Sequence, residues 1–432
     1  MDNRGSGRSV LRSLAMVGAV GAGVYVLQRA RAMETGERRV IDWDRVRTVA
    51  VAVANRGRRL PTVSAALRQA EFQGYIARTE PLIAGYLQTT LPQPLQTIYV
   101  FDRSEWIDTN IRNFRELFEP LERVYGTLMR RVATQSLAPI AGMVNGVAVS
   151  AQMGLLLGSL ARRVLGQYDV ALLGREPLLS GKLYFVEENI AATERLLGIP
   201  PEQFRLWIGL HEATHAYEFE AHPWLAEYLN SRIAEHMQAL TDEVQQLRVT
   251  LDADSAQQMV KRVASRLGDR GHWLELFMSD QQKDLFRQLQ ALMCLLEGYS
   301  NHVMDHIGAL LMPDYGVVKE RFEARRSKQT RLDKIWNKIT GLEMKLEQYI
   351  LGETFVNAVV AARDIDFMNR AFTSPQTLPD MAEIREPARW IRRMNEASRP
   401  WWGHCGARRP FKSPPAHFAP CAPTPLRRQT QR

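Results

Sequence analysis

F-R-L-W-I-G-L-H-E-A-T-H-A-Y-E-F, residues 204–219, sets an H-E-x-x-H inside a run that reads as helix. Pro200 and Pro201 suit a helix start, because proline is tolerated in the first turn, and Pro223 stops the run. The pattern therefore predicts a helix from Phe204 to Ala221. Residues four apart on a helix share a face, so His211 and His215 can direct two imidazoles at one Zn²⁺ ion. Glu212, one step round, can reach a metal-bound water rather than the metal. Zinc lowers the pKa of such a water toward ~7 and polarises a carbonyl, while a carboxylate takes the water's proton and passes it to the leaving group. His211 and His215 are thus expected as ligands and Glu212 as general base.

A catalytic zinc takes three protein ligands and keeps one position open. The metzincin continuation H-E-x-x-H-x-x-G-x-x-H would need glycine at position 218 and histidine at position 221. The chain has Glu218 and Ala221, with His222 one place late. A glutamate on a later helix is the alternative, and L-M-C-L-L-E-G-Y-S-N-H-V-M-D, residues 292–305, offers Glu297. A carboxylate on so apolar a helix is costly to bury unless it meets a cation. On the same helix Asn301 and Asp305 are candidates to orient a ligating histidine through its other ring nitrogen. Tyr299 and His302 are candidates to stabilise an oxyanion. His222, His302 and His306 stand behind Glu297 as alternative third ligands.

Outward from this centre most of the chain reads as helix, with apolar residues three and four apart over Ala226–Leu251, Gln257–Leu267 and Leu332–Val360. Two short strands are expected, Leu183–Val186 and Thr97–Phe101, the second followed by a turn at Asp102 and Ser104 and a helix from near Trp106. Val132–Ala161 carries no charge, yet it contains Thr134, Gln135, Ser136, Pro139, Asn145, Ser150 and Gln152, and its glycines at 142, 146, 154 and 158 recur at multiples of four. It reads as a core helix whose small residues admit a close neighbour, not as a membrane span.

The 432 residues carry a formal charge of +9. Residues 1–39 hold seven Lys/Arg against three Asp/Glu, and residues 399–432 hold seven against none, leaving 42 against 44 between them. A groove for phosphates needs positive charge clustered on the folded surface, so nucleic acid is excluded as a partner. Three cysteines, with Cys405 and Cys421 in the Pro-rich tail, make a disulfide framework untenable, and Cys294 reads as a small buried hydrophobe. The uncharged stretch Ser13–Leu27, flanked by arginines, reads either as a Gly/Ala-rich helix or as an anchor or export signal, so membrane association through residues 10–28 stays open. A cytoplasmic location is expected, with anchored or exported forms as alternatives.

The chain resembles the zincin-like metallopeptidases common in actinobacteria, some of which are linked to deazaflavin coenzyme biosynthesis. The resemblance runs from about Ile41 to Glu396. It is carried by I-D-W-D at 41–44, D-R-S-E-W-I-D-T-N at 102–110, L-G-Q-Y-D at 165–169 and the helix at 204–219. P-W-L at 223–225, L-L-E-G at 295–298, G-E-T-F-V at 352–356 and N-R-A-F-T-S-P-Q-T-L-P at 369–379 continue it. It implies a mainly α (α+β) zincin-like domain over 41–396, between an N-terminal extension at 1–40 and a basic Pro-rich tail at 397–432. It implies a metalloprotease site on His211, Glu212 and His215, gluzincin-like if Glu297 is the third ligand. In zincins a substrate peptide pairs with an edge strand upstream of the active helix, and Leu183, Tyr184, Phe185 and Val186 are expected to form it. The expected activity is zinc-dependent hydrolysis of a peptide or protein. A zinc hydrolase or processing factor for a small molecule, and a silent binding protein of the same fold, are the alternatives.

Overall fold

The computed structural model describes residues 41–56, 65–132, 138–168, 182–250, 279–327 and 342–397. The N-terminal extension with Ser13–Leu27, the window Gln257–Leu267 and the tail with Cys405 and Cys421 lie outside these residues.

The order of elements is α1 (Trp43–Ala54), α2 (Ala65–Leu87), β1 (Thr97–Phe101), α3 (Arg103–Val132), α4 (Ala138–Ala161), β2 (Gly166–Tyr168) and β3 (Lys182–Val186). There follow α5 (Glu187–Leu197), α6 (Pro201–Glu220), α7 (Pro223–Thr250), α8 (Asp280–Leu311), α9 (Tyr315–Ser327) and α10 (Leu342–Ala362). The short helices α11 (Ile365–Asn369), α12 (Met381–Arg385) and α13 (Pro387–Ala397) complete it. The mainly helical class with a small sheet is as expected. α3 starts three residues earlier than expected because Asp102 caps it, accepting from the Ser104 and Glu105 amides at 2.7 and 2.8 Å.

The sheet has the order β1-β3-β2. β1 runs parallel to β3, Thr97 facing Lys182 and Phe101 facing Val186, and β2 runs antiparallel to it, Gly166 facing Phe185. This corrects the expectation for Leu183, Tyr184, Phe185 and Val186. They form the central strand, with backbone groups committed on both sides, and cannot take up a peptide. Alternation sends Leu183 and Phe185 into the main core, where Phe185 stacks on Phe72 with ring centroids 3.8 Å apart.

Two close helix crossings depend on absent side chains. α4 lies on α1 with Gly158 so near that a Cβ would sit 2.4 Å from the Ala50 carbonyl oxygen. That supports the core-helix reading over 138–161, residues 133–137 lying outside those described, and no helix among the described residues is long and apolar enough to cross a membrane. α8 crosses α10 at Gly298 and Gly352. A Cβ on Gly298 would meet the Gly352 carbonyl carbon at 2.1 Å, and one on Gly352 the Cys294 carbonyl oxygen at 1.9 Å. Cys294 is fully buried there, its thiol pushed up to about 11 by burial, as suits a small core residue.

α6 is buried nearly all round, so it is held by its contacts more than by an amphipathic face. Its first turn is tied down by Arg205, 1% exposed, which donates to Glu187 at 2.7 and 3.0 Å and to Glu194 at 3.1 Å on α5.

Candidate metal centre

α6 presents His211 and His215 one turn apart toward α8, and α8 answers with Glu297. The two Nε2 atoms lie 3.2 Å apart. Glu297 Oε2 is 3.8 Å from His211 Nε2 and 3.9 Å from His215 Nε2. The centre of that triangle lies about 2.1 Å from each atom, within the roughly 2.0–2.2 Å of zinc bonds to imidazole and carboxylate. Among the described residues these three form the group of His, Cys, Asp and Glu able to hold an ion. Glu297 is 7% exposed, and its Oε2 is buried without a hydrogen-bond partner. A buried carboxylate oxygen left so is costly unless a cation meets it, so the donor set fits zinc.

Each histidine is held at its other nitrogen. His215 Nδ1 lies 2.8 Å from Glu218 Oε2, and Ser300 Oγ is 3.1 Å from the same nitrogen and 3.3 Å from Glu218 Oε1. His211 Nδ1 lies 3.0 Å from the Met304 sulfur. With Nδ1 engaged, both rings turn Nε2 to the centre. Burial works against the His215 cation, but Glu218, Glu297 and Glu212 outweigh it and hold the metal-free imidazole up at about 9. Burial pushes Glu218 up to about 7 against the pull of His215.

Glu212, 6% exposed, lies against β2. A Cβ on Gly166 would come within 2.6 Å of Glu212 Oε1, so the strand passes beside the carboxylate only because residue 166 lacks a side chain.

Four other expected residues are placed elsewhere. A helix turns about 100° per residue, so positions i+3 and i+7 from Glu297 lie at about −60° and −20°, while i+4 and i+8 lie at about +40° and +80°. The centre is on the first side, with Ser300 and Met304. Asp305 instead accepts from Tyr315 Oη and Lys319 Nζ, both at 2.5 Å, and it orients no ligand. Asn301 lines a cleft with Trp207, Asp305, Tyr315, Lys319 and Glu353. That cleft adjoins the centre through Met304 and Trp207, on the Nδ1 side of His211. Tyr299 and His302 point about 160° and 140° away from Glu297. Tyr299 is buried and donates to Asn369 Oδ1 at 2.6 Å, and His302 bridges Asn357 at 2.6 Å and Tyr86 at 2.7 Å. Neither reaches the centre as an oxyanion donor. His222 binds the Glu218 carbonyl oxygen at 3.0 Å and His306 stacks on Tyr86, which removes both, with His302, as rivals to Glu297.

Glu218, Ser300, Met304 and Gly166 carry no motif that marks them in the sequence; Glu218 enters there only as a departure from the metzincin spacing. A buried acid three residues after a ligating histidine, on the same helix face, was the available sign.

An H-E-x-x-H helix whose two histidines converge with a glutamate from a second helix is an arrangement that could hold a metal ion on a mainly helical scaffold. The chain belongs to the zincin-like metallopeptidase family, whose model matches residues 41–391. It is also similar to a crystal structure from Chloroflexus aurantiacus, a protein provisionally assigned as a hydrolase and described as having a novel fold. The two are 38% identical, the match covers 82% of this chain and 99% of that one, and the TM-score is 0.61. No curated protein matches. The family implies a metal, usually zinc.

Proposed function

We propose that this protein is a zinc metallopeptidase, with His211, His215 and Glu297 as ligands and Glu212 as general base. The observation that carries the proposal is the triangle of ligand atoms, closed by a carboxylate oxygen that is buried and lacks a hydrogen bond. Bound zinc supplies a Lewis acid and lowers the pKa of water toward ~7. The chain's own part would be to hold both imidazoles by Nδ1 and to present the Glu212 carboxylate, which would take a proton from water and return it to the leaving amine. Among the described residues β2 lies at the sheet margin, next to Glu212, and takes the place of β3 as the strand on which a peptide backbone would align.

Zinc content and cleavage of a peptide library test this. The expected result is one zinc per chain, peptide cleavage by the wild type, and cleavage lost in Glu212→Gln with zinc retained. A zinc-loaded wild type that leaves every peptide intact overturns the peptidase assignment and favours a small-molecule substrate. A protein without stoichiometric zinc, or a Glu212→Gln variant of full activity, overturns the hydrolase mechanism.

A further inference from the structure

We propose that Glu218, together with Ser300, is the positioning residue of the metal centre and acts through His215. The proposal rests on the zinc reading above and goes beyond it by assigning a role to two residues outside the ligand set. Glu218 is 1% exposed and Ser300 is fully buried. A carboxylate at such depth is costly unless its oxygens are satisfied, and its two are taken up by His215 Nδ1 at 2.8 Å and Ser300 Oγ at 3.3 Å. It faces Nδ1, away from the Nε2 that meets His211 and Glu297, so it is no ligand. Its effect is to keep the proton on Nδ1, to fix the ring plane, and to make Nε2 a stronger donor toward a cation.

The two histidines are anchored unequally. His215 has a carboxylate, a strong acceptor, where His211 has the thioether of Met304, a weak one. Ser300 reaches both His215 Nδ1 and Glu218 from α8, three residues beyond Glu297. One face of α8 therefore supplies the third ligand, the Ser300 hydroxyl that steadies His215, and the sulfur beside His211. The histidine anchor and the glutamate ligand thus move together.

Zinc affinity of the full chain, measured by chelator competition, and the visible spectrum of the cobalt-substituted protein test the assignment. The cobalt bands report the donor strength and geometry of the ligands themselves, so they separate a positioning role from a general loss of packing, which would lower affinity alone. Glu218→Gln, which keeps the shape and one acceptor but removes the charge, should weaken zinc about 10–100-fold and shift the cobalt bands. Glu218→Ala should weaken zinc further, and Met304→Leu by less than about threefold, as befits the weaker acceptor. Wild-type affinity and spectrum in a folded Glu218→Gln variant overturn the proposal, as does an equal loss in Met304→Leu. If Glu218→Ala fails to fold, Glu218→Gln still decides. Failure of the wild type to bind zinc would sink the metal reading as well, whereas tight zinc in wild type and Glu218→Gln alike sinks this inference alone.

Discussion

Gly298→Ala tests how the third vertex of the metal centre is set. The added methyl would lie 2.1 Å from the Gly352 carbonyl carbon, 2.3 Å from its oxygen and 2.7 Å from the Glu353 amide nitrogen. Carbon contacts are comfortable from about 3.5 Å, so α8 and α10 must part by about 1.4 Å. All three obstructing atoms are backbone, which cannot rotate aside, and that places the cost near the upper end for overpacking, about 3 kcal/mol. At roughly 2–4 °C per kcal/mol the melting temperature should fall by about 6–12 °C. Glu297 precedes the glycine, and a shift of that size exceeds the roughly 0.5 Å within which a preorganised site tolerates error. Zinc affinity should therefore fall with stability. Gly74→Ala on α2, where a Cβ meets nothing within 4 Å, is the control and should stabilise by about 0.5–1 kcal/mol through helix propensity. Thermal unfolding with and without chelator, plus zinc titration, makes the comparison. A Gly298→Ala protein that melts within a degree of wild type and binds zinc equally would refute the argument.

Glu297→Ala should lose most of its zinc, while Glu320→Ala, at an exposed position of α9, should keep it; equal zinc content by metal analysis would send the search for the third ligand elsewhere. Zinc binding should strengthen with pH. The folded metal-free protein holds His215 up at about 9 against an ordinary 6.5, so the stability this gives is complete below 6.5 and lost as pH rises through 9. Glu218, raised to about 7 from 4.5, adds a contribution of the same sign, lost as pH rises through 7. Zinc needs the neutral imidazole, so the zinc-induced rise in melting temperature should grow from pH 6.5 to 8.5, and a pH-independent rise contradicts the coupling. Arg205→Ala strands Glu194 and leaves Glu187 with Arg68 alone, 3.0 Å away, so it should cost about 3 kcal/mol in denaturant unfolding, the lower end for breaking a buried pair; a loss under 1 kcal/mol would show that the ion network contributes little.

What was legible in the sequence is what depends on local spacing. H-E-x-x-H at four-residue spacing determines that two imidazoles share a face, because helix geometry is the same in any surroundings. The helices over 204–220 and 226–250, β1 and β3, and the burial of Cys294 follow from apolar periodicity. Glu297 was also within reach, since an acid after five uncharged positions on an apolar helix calls for a cation. Rotation and neighbour order are decided only when helices pack. Which side of α8 meets the histidines rests on the Gly298–Gly352 crossing, a contact between residues 54 apart, and it replaced Asn301 and Asp305 by Ser300 and Met304. Strand order likewise rests on pairing between distant segments, which placed Leu183–Val186 in the centre of the sheet and Gly166 beside Glu212. A periodic pattern fixes which residues share a face, and only tertiary contact decides what that face meets.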